Sequence, residues 1–449
     1  MFSLSDLNKI KDLRYFEDNP SGLQVMGKVA QVVGNTIEAF LTEVPLGALV
    51  RITNKEESFK IDGEVVGFRD NKALIIPYNE PTGVSTNALV YCIEKEQKIY
   101  VGDHLIGKII DPYGKCLQSN RDLNYRGTLH PLHSKPINPL IRRRIDHPID
   151  LGVRSINSLL TCGEGQRIGI MAGSGVGKSA LMGMMSRFTD ADINVITLIG
   201  ERGREVLEFV EQNLGREGLQ KTVVVVSTSD QSPLSRIRGA YVGTAIAEHF
   251  RDKGKKVLFM MDSLTRVAMA QREIGLSVGE PPTTKGYPPS VFSLLPKLLE
   301  RTGNTSSKGS ITGIYTVLVD GDDFNEPICD AARSILDGHI VLSRRNAEKG
   351  HFPAIDILKS ISRVMLEITD EKHKKLSQHF KELLHEYEKN EDLINIGAYN
   401  PGFNEKLDKA VKLNSTMNAF LKQDLREKCT LKDSVDLLEK TLILDEEKK

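Results

Sequence analysis

The stretch Arg167-Ile168-Gly169-Ile170-Met171-Ala172-Gly173-Ser174-Gly175-Val176-Gly177-Lys178-Ser179 decides the fold. A short apolar run enters a glycine-rich loop that ends Gly-Lys-Ser. An apolar, helix-compatible run, Ala180 to Met185, follows. Strand, loop and helix in that order form the context of a phosphate-binding P-loop. Glycines let a backbone wrap phosphates because they accept positive φ and carry no side chain. The wrapped N–H groups, with the N-terminus of the next helix, make a nest for an anion. The expected ligand is a nucleoside triphosphate with Mg²⁺. Residues Ala172, Gly173, Ser174, Gly175, Val176, Gly177 and Ala180 would cradle it. Lys178 would reach the β- and γ-phosphates and the Ser179 hydroxyl would ligate Mg²⁺. The first loop position is Ala172 where the pattern usually has glycine. The competing reading is a glycine-rich turn beside a surface lysine.

Composition narrows the class. The 449 residues allow two or three domains, and 40% hydrophobic with 27% charged residues is ordinary for a globular protein. Lysine plus arginine and aspartate plus glutamate number 60 each, so no global positive field recruits nucleic acid or anionic lipid. Cys92, Cys116, Cys162, Cys329 and Cys429 have neither zinc spacing nor a disulfide framework, which suggests a reducing compartment. No apolar run reaches transmembrane length, and the N-terminus does not read as a signal peptide. The expected location is cytoplasmic.

Outward from the loop, four regions separate. Residues 1–22 form a charged tail that could be a short amphipathic helix or a frayed terminus. In residues 23–95, β-rich runs recur at Val25–Val33, Thr36–Leu41, Ala48–Ile52, Glu64–Phe68, Lys72–Ile76 and Ala88–Ile93, with Gly34-Asn35 as a hairpin signal. These predict a small antiparallel barrel. Residues 96–365 alternate apolar strands with helical segments, and the clearest strands are Asn194–Ile199, Thr222–Ser227, Val257–Met261 and Ile311–Val319. That alternation predicts a mainly parallel sheet covered by helices. Residues 366–449 are polar and helical in pattern.

Two strand ends carry further chemistry. Val257–Met261 runs into Asp262, the Walker B pattern, where a carboxylate can orient the hydration shell of Mg²⁺. Asn194–Gly200 runs into Glu201-Arg202-Gly203-Arg204-Glu205. Open parallel sheets bind ligands at the carboxyl ends of their strands, so Glu201 could polarise an attacking water and Glu205 could lie nearer the metal's waters. A solvated charge run is the alternative. Arg363 could be a surface residue or an arginine finger, and Phe352 could stack on adenine or fill core.

With these residues in place, the chain resembles the type III secretion and flagellum-specific ATPases, relatives of the catalytic subunit of rotary ATP synthases. The resemblance runs from about residue 24 to 425. Besides the P-loop it rests on Val101–Asp111, Leu151–Ile156, Leu160–Arg167, Gly200–Val206, Met261–Arg266, Gly286–Phe292 and Ser334–Ile340. It implies an α/β fold: a RecA-like P-loop core with an N-terminal antiparallel β-barrel and a C-terminal α-helical domain. It implies that Glu201 activates the hydrolytic water and that Arg202 and Arg266 line the phosphate pocket. It makes Asp262 the Walker B aspartate, Glu205 a second-sphere Mg²⁺ carboxylate and Phe352 the aromatic packed on adenine. Arg363 would be the finger donated across a subunit interface.

One chain holding both Glu201 and Arg363 can complete its sites by self-assembly, so a homohexamer is expected. The implied cofactors are ATP and Mg²⁺, and the implied location is peripheral, at an inner-membrane export apparatus. The implied partners are a stator-like regulator, a central coiled-coil stalk protein, export-gate membrane components, and export chaperones with their unfolded substrates. The loop near Ile274–Gly279 could face a central channel. Asn390–Tyr399 stands where the synthase carries an acidic segment, and with Thr283–Tyr287 it looks closer to flagellar than to injectisome members. A ring-shaped RNA translocase is the alternative from another class. The barrel lacks the basic, aromatic face that stacking on bases needs, so no nucleic acid partner is expected.

Overall fold

The computed structural model describes residues 26–443, except 42, 55, 57, 120, 124–126, 307, 320 and 322. The helix considered for residues 1–22 lies outside the described residues. Two compact units are present, one ending at Gln97 and the other beginning at Lys98.

In the first unit, β1 (Met26–Val33), β2 (Thr36–Phe40), β3 (Leu49–Thr53), β4 (Lys60–Arg69), β5 (Lys72–Pro77) and β6 (Leu89–Glu94) close a barrel. Their order is β1-β2-β5-β4-β3-β6, and every pair is antiparallel. Closure leaves no sheet edge. Ile37, Val50, Ile52, Val65, Ile75 and Val90 fill the interior. Asp70 and Asn71 both take positive φ, 48° and 62°, in a two-residue turn that pairs Arg69 with Lys72. That backbone matches the twist of a hairpin. Strand β4 starts four residues before its apolar run, because Asp62 pairs across to Arg51 through bonds of 2.7 and 3.0 Å.

The second unit holds an eleven-stranded sheet. Its strands are β8 (Ile109–Ile110), β9 (Lys115–Cys116), β10 (Arg121–Asp122), β12 (Arg167–Ala172), β13 (Ile193–Ile199), β14 (Thr222–Ser227), β15 (Lys256–Asp262), β16 (Gly303–Asn304), β17 (Ser310–Leu318), β18 (Gly338–Leu342) and β19 (Ile355–Ser362). The order is β10-β9-β8-β14-β13-β15-β17-β12-β18-β19, with β16 paired to β17. A separate ribbon pairs β7 (Lys98–Val101) with β11 (Thr128–Pro131). The central strands β14 to β18 in that order are parallel. They are buried on both faces. Ile196 and Leu198 of β13 enter one hydrophobic cluster, while Val195 and Ile199 enter the other. Such strands read as continuous apolar runs.

The helices Glu371–Asn395, Glu405–Leu421 and Leu431–Ile443 follow the sheet. Asp370 caps the first by accepting from His373 N at 2.7 Å, and Asn404 caps the second. Such caps satisfy amides that the helix itself leaves unpaired. Phe380, Leu384, Leu413, Phe420 and Leu438 from these helices join the cluster that holds Ile168 and Ile170. No helix among the described residues is long and apolar enough to cross a membrane.

Candidate active site

Strand β12 ends at Ala172 and the chain turns through residues 173–177 into the helix Lys178–Phe188. Gly175 and Gly177 have φ of 78° and 87°. A Cβ on Gly175 would meet nothing within 4 Å, so glycine serves the backbone conformation there. No side chain caps this helix at Gly177. Its first amides are therefore available to an anion.

Two carboxylates converge on one ammonium. Lys178 Nζ pairs with Asp262, at the end of β15, and with Glu201 Oε1 at 3.4 Å, just beyond β13. Asp262 is buried, and the Lys178 and Glu201 side chains are 12% and 13% exposed. Asp262 Oδ1 also accepts from Thr316 Oγ1 at 2.6 Å, on β17. Burial, reinforced by the charge of Asp262, pushes the Glu201 carboxyl up to about 7 against the pull of Lys178. Glu205 is held below its ordinary value, first by a hydrogen bond from Glu201. Burial alone would lower Lys178, but Asp262 and Glu201 outweigh it and the ammonium is held above its usual range.

Arg266 lies beside this cluster. Its stem packs on Gly200, where a Cβ would come within 2.9 Å of Arg266 Cβ and Cγ. Ser263 caps its helix, Leu264–Ser277, and its buried Nε has no hydrogen-bond partner among the described residues. A buried guanidinium nitrogen without a partner, on a side chain packed against the residue before Glu201, fits a phosphate. The donor set also fits Mg²⁺. The Ser179 hydroxyl with Asp262 and Glu205 offers the oxygen ligands a hard cation takes. No group of three or more His, Cys, Asp or Glu among the described residues is arranged to hold a metal by itself, so phosphates and water would complete the shell.

Topology positions the remaining residues. Strand β18 runs parallel to β12 and pairs Leu342 with Ala172, and β19 returns antiparallel with Ile355 beside Leu342. The turn between them lies at the P-loop end. It carries Phe352, whose ring stands 3.4 Å from where a Cβ on Gly177 would be. Strand β19 then runs away from the loop. Arg363 N donates to the carbonyl of Asp337 at 3.0 Å, and Asp337 binds Arg167 at the start of β12. Arg363 therefore sits at the amino end of the sheet, about 16 Å along β12 from the loop at ~3.3 Å per residue. Its guanidinium is exposed and donates to Arg333 O at 3.2 Å. Arg202 is 82% exposed and approaches Glu205 at 4.0 Å, so the fold does not bring it to Lys178. Around Ile274–Gly279 the helix continues to Ser277 and Ile274 is buried, so the loop expected there is mostly a helix end.

Sequence reading missed Thr316 and Thr265. The Thr265 hydroxyl accepts from Leu318 N at 2.8 Å and ties the Walker B turn to β17. A hydroxyl inside the apolar run of β17 was the available signal for Thr316.

Comparison with known proteins agrees with this fold. The beta-barrel domain of the ATP synthase alpha/beta family matches residues 29–93, and the nucleotide-binding domain of that family matches 152–362. The T3SS EscN ATPase C-terminal domain matches 369–440. A flagellum-specific ATP synthase of Bacillus subtilis is 53% identical over 92% of this chain and 94% of its own length. The chain belongs to the flagellum-specific and type III secretion ATPases. A type 3 secretion system ATPase of Xanthomonas euvesicatoria is 45% identical over 92% of this chain and 93% of its own. Among solved structures, the assembled ATPase EscN of the enteropathogenic E. coli type III secretion system matches with a TM-score of 0.88. It is 45% identical over 93% of this chain and 100% of EscN. EscN in complex with its central stalk EscO matches at 0.85, with 44% identity over the same shares. Lys178, Glu201 and Asp262 meet at the carboxyl end of the sheet, where open parallel sheets bind their ligands.

Proposed function

We propose that the chain hydrolyses ATP to ADP and phosphate to energise flagellar protein export, at sites completed between copies of itself. The observation that carries this is the split of the machinery across the sheet. Lys178, Glu201 and Asp262 gather at the carboxyl end, and Arg363 is exposed at the other. An arginine so placed serves a neighbour's γ-phosphate better than its own. That supports a closed homo-oligomer, a homohexamer, with each finger given in trans.

Lys178 and the loop amides hold the triphosphate, Arg266 adds a second cation, and Phe352 offers a flat face to adenine. Mg²⁺, held by Ser179 with Asp262 and Glu205 behind its waters, would neutralise phosphate charge when bound. Glu201 orients water for in-line attack and receives its proton. Arg363 stabilises the charge that develops on the transferred phosphoryl group.

The identity to the B. subtilis flagellar relative exceeds that to the Xanthomonas secretion relative, which supports the flagellar branch. The EscN–EscO structure supports a central stalk partner. A stator-like regulator, export-gate components, and chaperones delivering substrates for unfolding complete the proposed assembly at the inner face of the membrane. ATPase rate per subunit, measured against protein concentration, tests the shared site. The rate should climb with concentration and collapse in Arg363→Ala. A flat rate with full activity in the variant overturns it. Deleting the gene should abolish flagellar filaments. Intact filaments with loss of another secreted set would move the chain to the injectisome branch.

A further inference from the structure

The turn that carries Phe352 is held from outside the sheet. The Phe352 carbonyl accepts from the backbone N–H of Gln423 at 3.0 Å. Gln423 follows the helix Glu405–Leu421 and is 5% exposed. Its side chain anchors it to a different part of the core. Oε1 accepts from Arg154 N at 2.7 Å, and Nε2 donates to Gly152 O at 2.9 Å and to Glu427 O at 2.7 Å. Both amide donors of the side chain are thereby used. The same core segment grips the surrounding turn. Arg154 Nη1 donates to the carbonyls of Phe420 and Lys422 at 3.1 and 3.0 Å, and Asn157 donates to Cys429 O at 3.1 Å. Gln423 thus joins three pieces of backbone: the segment before the helix Arg154–Leu159, the turn after Leu421, and the Phe352 turn.

We infer that Gln423 is a positioning residue for the base end of the nucleotide site, setting Phe352 against the P-loop from the C-terminal helices. It acts through its own backbone N–H, which the side-chain bonds hold in place. The inference rests on the reading of Phe352 as the face that stacks on adenine. An apolar residue of similar length would deprive the Arg154 amide and the Glu427 and Gly152 carbonyls of this partner. A turn relaxes rather than keep such groups unpaired. The Phe352 ring would shift while the P-loop, built on β12 and its own helix, would not. The base should lose affinity and the phosphates should keep it.

The test is competition binding on the full chain with Mg²⁺, using ATP and inorganic tripolyphosphate as probes. Gln423→Met should weaken ATP about tenfold and leave tripolyphosphate within about twofold. Gln423→Asn keeps both amide donors and the acceptor on a shorter stem, so it should fall between wild type and Gln423→Met and serves where the methionine variant does not fold. Phe352→Ala separates the two readings. If it lowers ATP affinity selectively while both Gln423 variants match wild type, Gln423 has no positioning role and base stacking stands. If Phe352→Ala leaves the ratio of the two affinities unchanged, the stacking reading fails and the inference falls with it. Equal loss of both ligands in the Gln423 variants would mean general structural damage, and that overturns the inference.

Discussion

The two ends of the core sheet hold charge in different ways. At the amino end, Arg167 donates to Asp337 at 3.1 Å and pairs with Glu300 at 2.6 Å, and Arg142 shares Glu300 at 2.8 Å. Two cations there meet two carboxylates. Asp337 and Glu300 outweigh burial and hold Arg167 above its usual range. At the carboxyl end, Lys178 pairs with both Asp262 and Glu201, with Glu205 beside them and the Arg266 stem packed on Gly200. Burial, with the charge of Asp262 added to it, drives the Glu201 carboxyl up to about 7 despite Lys178. A balanced network is a structural clasp, whereas an imbalanced one waits for a cationic or anionic ligand. The exception at the balanced end is Arg363, whose exposed guanidinium is bonded to a carbonyl rather than a carboxylate.

The strongest way to break the contrast is to mix half-sites. Arg363→Ala should cost about 10³-fold in turnover while leaving the thermal unfolding midpoint unchanged, because a single exposed carbonyl bond is lost. Lys178→Ala subunits should be as inactive. Mixtures of the two should regain part of the activity, since some interfaces combine an intact Lys178 with an intact Arg363. Silence in mixtures proven to co-assemble would place the finger and its phosphate in one chain.

Much of this layout was legible in the sequence. Strands β13, β14, β15 and β17 stood out because burial on both faces makes them continuous apolar runs. Lys178, Ser179 and Asp262 stood out because a phosphate needs fixed spacing from a strand end. The last two strands gave weaker signals. Strand β19 mixes Asp356, Lys359 and Ser360 with its apolar residues at the sheet's edge. Yet the order β12-β18-β19 is what sends Phe352 to the loop and Arg363 away from it, so those two were reachable by resemblance alone. Thr316 and Gln423 stayed hidden for another reason. Their partners lie 54 and 269 residues away, at Asp262 and Arg154, and local pattern carries no such distance.

The imbalance at the carboxyl end can be sharpened by titration. Glu201 accepts a proton only when ionised, so ATPase activity at limiting ATP should rise as pH passes through about 7. The sign for stability is opposite. The folded chain keeps a proton that the unfolded chain releases near 4.5, so this group costs stability as pH climbs from 4.5 to about 7. Glu201→Gln should remove that dependence from the unfolding midpoint, keep nucleotide binding and lower turnover by more than about 10²-fold. An activity profile flat from pH 6 to pH 8 (roughly one unit either side of the midpoint) would show that Glu201 is not the titrating base.

The smallest expected effect isolates one bond within the imbalanced end. Thr316 Oγ1 donates to Asp262 Oδ1 at 2.6 Å, from the strand that separates β15 from β12. Valine keeps the branched shape and removes the donor, so packing within β17 is retained. Asp262 would still hold Lys178, but its carboxylate could rotate. Hydrogen bonds to charged groups contribute about 1.5–3 kcal/mol, and part of that is recovered by Lys178. Thr316→Val should therefore lower turnover about fivefold to tenfold. It should also raise the Mg²⁺ concentration needed for half-maximal rate, with little change in ATP binding when Mg²⁺ is saturating. An unchanged Mg²⁺ requirement would mean that Lys178 and the strand end orient Asp262 without help from β17. The intervening strand would then be a spacer between the two halves of the site rather than a part of it.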